Sequence, residues 1–251
     1  MTAALTARSV PRSVMIDIDD QGAIRVVTLD RPDRRNALTP AGLEALETAV
    51  ADPPAPVVYL RGAGEAFSAG ADLDSVAALA GDADADVEAF VRRGQRTADA
   101  IETSPAVVVA GIDGAARGGG VELALACDLR IATPHATFAE PGVTFGLFGA
   151  WGGTVRLPET VGLGDALDIS LSGRVIDSEE ARRIGLVSRI VEEPRAVVEE
   201  IAENDPAALE AVKACLRGRE NKAEREDSEV AAFEALVETH AETLRDLGGS
   251  S

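Results

Sequence analysis

Two glycine-rich segments and one carboxylate hold the chemistry legible in this chain. The first segment is Gly64-Glu-Ala-Phe-Ser-Ala-Gly-Ala-Asp-Leu73. The second is Gly114-Ala-Ala-Arg-Gly-Gly-Gly-Val-Glu-Leu-Ala-Leu-Ala-Cys-Asp128. Each follows a short apolar run of strand character, residues 57–60 and 106–110. In an α/β sheet, ligands gather at the carboxyl ends of strands, and small residues let backbone approach them closely. Gly118-Gly-Gly120 opens a helical stretch. Its first N–H groups lack intrahelical partners and stand at the positive end of the helix dipole, which suits an oxyanion. Glu122 follows Gly119 by three residues, hence on the same helix face. One element can then offer an N–H donor and a carboxylate to one substrate. Two ordinary alternatives stand beside this reading: glycines that serve close helix–strand packing, and a first-turn glutamate favoured only by the dipole.

Other chemistries are poorly supplied. The 251 residues include 43 acids and 24 bases, for a formal charge of −19. That balance argues against tracking nucleic-acid phosphates or docking on anionic membranes. Lys213 and Lys222 are the only lysines, so a Schiff-base enzyme has little to work with. Two cysteines, Cys127 and Cys215, and two histidines, His135 and His240, provide neither a disulfide framework nor a metal site. No G-x-G-x-x-G opens a helix and no Walker motif occurs. The N-terminus lacks a signal-peptide core and no run of eighteen apolar residues exists, so the chain reads as soluble and cytoplasmic.

The elements around these residues follow an α/β pattern. Residues 1–13 read as a loose leader. Residues 14–18 and 24–29 read as a hairpin across Asp19-Asp20-Gln21-Gly22. Thr39-Pro40 opens a helix, with threonine as cap and proline at the first position. Residues 62–72 read as a loop, and the Ala/Asp-rich stretch 75–86 as a mobile one. Helices are expected from Val87 to Ile101 and from Gly118-Gly-Gly120 to Ala126, with a further strand at 129–132. Alternating strands and helices imply parallel pairing. Beyond residue 152 the chain reads as mainly helical, with one strand near 186–191. Val230, Phe233, Leu236 and Val237, continued by Ala241 and Leu244, form an apolar helix face that needs a partner surface.

Taken in order, several runs resemble the crotonase superfamily, the enoyl-CoA hydratases and isomerases. They are Leu29-Asp-Arg-Pro-Asp-Arg-Arg-Asn-Ala-Leu38, Ala66-Phe-Ser-Ala-Gly-Ala-Asp-Leu73, Gly118 to Ala132, Gly152-Gly-Thr-Val-Arg-Leu-Pro158, Leu171-Ser-Gly-Arg174 and Ala181-Arg-Arg-Ile-Gly-Leu-Val187. The resemblance spans roughly residues 14–230. It implies an α/β crotonase-type ββα spiral as a core over residues 14–191, then a C-terminal helical region over 192–247 that mediates a homotrimer or a dimer of trimers. It implies an acyl-CoA thioester as substrate, with no metal and no cofactor beyond that CoA. The backbone N–H groups of Ala71 and Gly119 would form the oxyanion hole, Glu122 would be catalytic, and Gly118, Asp72 and Leu73 would adjoin the substrate. Ala37 and Ala69 would meet the adenine end through backbone, and arginines of the 31–35 turn, Arg35 among them, would lie near CoA phosphates. Phe145, Phe148 and Trp151 would line the acyl pocket.

One departure bears on the reaction. Hydratases of this family use two glutamates, and the second belongs in a Phe-x-x-Pro-Glu pattern. This chain reads Phe138-Ala-Glu-Pro-Gly142, so Gly142 stands at that position and leaves room there. Glu140, two residues earlier, is a possible accessory acid but reads first as a solvent-facing loop residue. The chain is therefore expected to be an enoyl-CoA hydratase/isomerase-type enzyme working through a thioester enolate with one of the two usual glutamates. Two alternatives remain: a one-carboxylate crotonase such as a hydrolase, decarboxylase or C–C lyase, and a non-catalytic acyl-CoA binding protein.

Overall fold

The computed structural model describes residues 15–81 and 86–248. The expected leader, Val14 and residues 82–85 lie outside them. Strands β1 (Ile16–Gln21) and β2 (Ile24–Leu29) form the hairpin. Its turn is tighter than the sequence suggests. Asp19 and Asp20 are paired within β1, Gln21 pairs with Ile24, and Gly22 takes a φ of 65°, as two-residue hairpin loops require.

β3 (Val57–Gly62), β5 (Val107–Ile112), β7 (Leu129–Ala132) and β10 (Arg189–Ile190) extend this hairpin by parallel pairing into a six-stranded sheet, ordered β1-β2-β3-β5-β7-β10. Along its central strands Val58, Leu60, Val108 and Ala110 enter one core cluster, while Val57, Tyr59, Val107 and Val109 enter another. Both faces are covered, which is why these strands read as unbroken apolar runs. Helices α1 (Pro40–Ala51), α2 (Leu73–Gly81), α3 (Val87–Glu102) and α4 (Gly119–Ala126) succeed one another along the chain. Leu43, Leu46, Ala98, Ile101 and Leu123 from α1, α3 and α4 fill the first cluster. Thr39 caps α1 as expected, its Oγ1 accepting the Gly42 N–H at 3.2 Å. The stretch expected to be mobile is helical as α2 up to Gly81.

A second sheet of short strands lies just past the large one. β4 (Ala66–Ser68), β6 (Ala115–Arg117) and β8 (Thr137–Ala139) pair in parallel, and β9 (Ile176–Asp177) closes the row antiparallel to β8. Each follows the carboxyl end of β3, β5 or β7 by a few residues, so the repeating unit is strand, short strand, helix. Residues 62–72 are thus not a plain loop. Strands this short fall below any periodicity signal.

The remaining helices are α5 (Gly153–Val161), α6 (Leu163–Ser172), α7 (Ser178–Arg183), α8 (Pro194–Ala202), α9 (Pro206–Arg217), α10 (Lys222–Thr239) and α11 (Ala241–Gly248). Val197 and Val198 of α8 complete the second core cluster. α10 buries none of its residues, and the face expected to need a partner, including Val230 and Phe233, is exposed. No helix among the described residues is long and apolar enough to cross a membrane.

Candidate active site

α4 is buried along its whole length, and its glycines show why. A Cβ on Gly119 would stand 2.3 Å from the Trp151 ring, and one on Gly120 would stand 2.4 Å from the Ser68 carbonyl oxygen. Close packing therefore does demand glycine here. It also brings the two glycine-rich segments together, since a Cβ on Gly70 would fall 2.6 Å from the Gly119 nitrogen. Gly118 adopts a φ of 49°, a backbone that disfavours a side chain.

The same packing aims two backbone donors. The Leu38 N–H donates to the Gly70 oxygen at 2.8 Å, and the Asp72 N–H donates to the Leu38 oxygen at 2.9 Å. In extended backbone, successive N–H groups alternate in direction, so the Ala71 N–H points away from Leu38. Among the described residues no acceptor meets it, and none meets the N–H of Gly119. Ala71, Gly118, Gly119 and Glu122 all line one cleft of ~350 Å³, with Ala69 and Leu73 at its edge.

Glu122 is 2% exposed. Its Oε1 accepts the N–H groups of Trp151 at 2.8 Å and Gly153 at 2.7 Å. Both bonds fall on one oxygen and leave Oε2 for a ligand. Gly149 and Gly153 press on the carboxyl group so closely that a Cβ on either would come within 2.8 Å of it. Burial pushes the carboxyl up to about 7, and the two N–H bonds and the nearby Arg156 hold it from rising further. A first-turn glutamate serving only the dipole would face solvent, and this one does not. Arg156 anchors the supporting loop: it pairs with Asp99 and Glu102 on α3 at 2.7 and 2.6 Å, and its Nη1 donates to the Trp151 oxygen at 3.4 Å.

The structure corrects three expectations. Glu140 does not face solvent; it is 8% exposed and lines the same cleft. Gly142 lines the cleft but does not leave room for a carboxylate, because a Cβ there would stand 2.9 Å from the Leu147 oxygen and the Phe148 Cα. Asp72 does not line the cleft. It is buried, caps α2 through Ser75 at 3.0 Å and pairs with Arg31 at 2.5 Å. Ala37 is buried too, and its backbone is already bonded: its N–H to the Arg34 oxygen at 3.1 Å, its carbonyl to Arg31 at 3.2 Å. Its N–H is spent, and the second lone pair of its carbonyl oxygen is what remains for an adenine.

The aromatic residues divide. Trp151 is a core residue as well as a cleft wall, tilted against Phe90 with ring centres 6.3 Å apart. Phe145 and Phe148 are exposed at the cleft mouth, opposite Val76, Leu79 and Val91 of α2 and α3. A second cleft of ~480 Å³ shares Ala69 with the first and is lined by Arg35 and Arg117, with Asp33 and Glu65 at its rim. Arg35 is exposed and its guanidinium has no partner among the described residues, unlike Arg31 and Arg34, which pair with Asp72 and Asp74. Burial and the charge of Arg35 push Arg117 below its ordinary range. Sequence reading assigned Arg117 no role, although it sits inside the second glycine-rich segment. The donors of Trp151 and Gly153 were likewise missed, since a backbone N–H leaves no mark beyond nearby glycines.

Two sheets of unequal strand length, a spiral of ββα units and a cleft at the strand ends define the crotonase fold. An enoyl-CoA hydratase from Bacillus anthracis shares it at a TM-score of 0.85 and 33% identity, over 94% of this chain and 96% of that one. A Thermobifida fusca protein crystallised with acetoacetyl-CoA shares it at a TM-score of 0.80 and 27% identity, over 90% of this chain and 96% of its own. A Rhizobium meliloti protein named a probable enoyl-CoA hydratase is 36% identical over 207 residues, 81% of this chain and 79% of its own length. The enoyl-CoA hydratase/isomerase family profile matches residues 19–246. The chain belongs to that family.

Proposed function

We propose that the protein binds an acyl-CoA thioester, holds its carbonyl oxygen between the N–H groups of Ala71 and Gly119, and uses Glu122 to move a proton as the enolate forms. Hydration of a 2-enoyl-CoA is the reaction this arrangement serves. The observation that carries the reading is Glu122 itself: a buried carboxyl, fixed through one oxygen by two backbone donors, in the same cleft as two unbonded N–H groups. Such donors stabilise developing negative charge without reorganising, and removing one typically costs about 10²–10³ in rate. The acyl group would lie against the apolar wall of α2, α3 and residues 145–148, and the CoA phosphates near Arg35 and Arg117. The bound acetoacetyl-CoA of the Thermobifida relative supports this class of ligand. No cofactor beyond the CoA of the substrate enters the chemistry.

Replacing Gly119 by proline is a poor test, since the new ring would collide with Trp151. Glu122→Gln keeps shape and loses basicity. It should lower hydration of crotonyl-CoA by about 10²–10⁴ while calorimetry shows unchanged affinity for acetoacetyl-CoA. Undiminished hydration in the variant would refute the role of Glu122. The groove between α9 and α10, lined by Val212, Leu216, Val230, Phe233 and Leu236, is the surface we assign to contact between copies in a homotrimer or dimer of trimers. Light scattering at micromolar concentration should give three or six copies, and a monomer would refute the assignment.

A further inference from the structure

Among the described residues, Glu122 and Glu140 are the only ionisable side chains lining the 350 Å³ cleft. They are held differently. Glu122 receives two N–H bonds, whereas the buried Oε1 of Glu140 has no hydrogen-bond partner among the described residues. A buried carboxyl without a partner costs stability, and a fold tolerates such costs mainly at working sites. Nothing in the packing explains this one. The segment after it, residues 141–149, carries no ionisable side chain. α6 presents Ser170 nearby, and its Asp168 is engaged with Arg174 at 2.7 Å. α5 contributes Thr154, while its Arg156 is spent on Asp99 and Glu102. The one charge that acts on Glu140 is that of Glu122. Beside Glu140 lies a small, partly open pocket of ~30 Å³, bounded also by Thr154 and Ser170, which is enough volume for a water molecule.

We propose that Glu140 is the second catalytic carboxylate of this cleft, the acid that faces the substrate opposite Glu122 and does the work that no side chain at Gly142 can do. The proposal rests on the enolate chemistry above and adds to it. The two N–H bonds favour charge on Glu122, and the lack of any favours a proton on Glu140. Burial and the charge of Glu122 push Glu140 up to about 8, against about 7 for Glu122. Near neutrality the pair therefore holds about one proton between them. In hydration, Glu122 takes a proton from water and the water oxygen bonds to the β-carbon. The π electrons move onto the thioester oxygen between Ala71 and Gly119. As the enolate collapses, the α-carbon takes the proton of Glu140. The product has gained one H₂O, and transfer of a proton from Glu122 to Glu140 restores the pair.

The test is Glu140→Gln, assayed by crotonyl-CoA hydration, acetoacetyl-CoA calorimetry and thermal melting against pH. Hydration should fall by about 10²–10⁴ with affinity unchanged. The variant should also melt higher than wild type at pH 8, because glutamine removes a buried charge. The sign follows from linkage. Carboxyls that keep their protons to about 7 and 8 in the folded chain release them near 4.5 when unfolded, so the unfolded state binds fewer protons between those values. Wild-type stability thus falls as pH rises from about 4.5 toward 8, and the variant should show a shallower fall. Hydration within about threefold of wild type overturns the proposal, as does a variant that melts lower and loses affinity in proportion. Exchange at the butyryl-CoA α-carbon without wild-type hydration keeps the enolate reading and overturns the role of Glu140. A wild type that neither binds acetoacetyl-CoA nor exchanges the proton overturns both.

Discussion

Asp128 and Glu102 lie where α9 docks on the core, and Glu122 and Glu140 lie in the cleft. All four carboxylates are largely withdrawn from water, yet their surroundings differ in kind. Asp128 accepts Lys213 Nζ at 2.8 Å, the Val108 N–H at 2.8 Å and Arg217 Nη2 at 2.9 Å. Glu102 meets Arg156, Arg217 and Arg219 at 2.6 to 3.4 Å, and these guanidinium groups hold it below the usual carboxylate range against the opposing effect of burial. In the cleft no cation among the described residues pairs with either glutamate, Arg156 acting on Glu122 only from a distance, and burial pushes both up. A cation beside a buried acid fixes its charge and turns it into a fastener. Its absence leaves a proton that can be moved. Arg156 stands between the two regions, paired with Glu102 on one side and bonded to the Trp151 carbonyl on the other, so the fastener also steadies the loop whose N–H groups hold Glu122.

The contrast implies opposite signs for similar substitutions. Asp128→Asn should destabilise strongly, because Lys213 is 9% exposed and would keep only the Ala106 carbonyl at 2.7 Å as a full partner. Removing one member of a buried ion pair costs about 3–5 kcal/mol. In a chain of this size each kcal/mol lowers Tm by about 2–4 °C. Turnover measured well below the melting transition should stay near wild type, since the cluster does not line the cleft. Glu140→Gln should do the reverse, raising Tm and lowering turnover. Equal melting temperatures for Asp128→Asn and wild type would break the comparison.

Much of this was legible beforehand, for reasons particular residues make plain. The strands read at 57–60 and 106–110 announced themselves because burial on both faces leaves those runs no charged position. Thr39-Pro40 announced α1 because capping is local chemistry. The family resemblance implied that Ala71 and Gly119 act together, and the packing of Gly70 on Gly119 brings their two segments to one cleft. The state of Glu140 was not legible, because it is buried in a fold that brings Val143, Phe148 and Gly149 to the same small pocket, a contact that no spacing encodes. Gly142 misled for a related reason: a missing side chain looks like space, and here the backbone of Leu147 and Phe148 fills it. Asp72 misled because its neighbours in sequence do line the cleft, whereas its own side chain turns the other way to cap α2.

The smallest expected effect sharpens the comparison at its exposed limit. Arg35 carries a charge on the rim of the 480 Å³ cleft without an acidic partner, in contrast to its neighbours Arg31 and Arg34. Its backbone is left-handed, with φ 51° and ψ 39°. That places it at the end of a tight turn fastened by Asn36, whose Nδ2 donates to the Ala63 and Ala66 oxygens at 2.9 and 2.7 Å. The turn is therefore rigid while the guanidinium stays free. If it meets a phosphate of the bound thioester, the contact is exposed to solvent, where ion pairs contribute little and salt screens them over about 8 Å at physiological ionic strength. Arg35→Ala should weaken acetoacetyl-CoA binding by about twofold to fivefold at low salt. The difference should vanish at about 1 M salt, where the screening length falls to about 3 Å. Calorimetry of both proteins across that range is the measurement. A loss that persisted at high salt would mean that Arg35 holds its ligand through short, desolvated bonds, and the division between buried chemistry and screened steering would no longer describe this site.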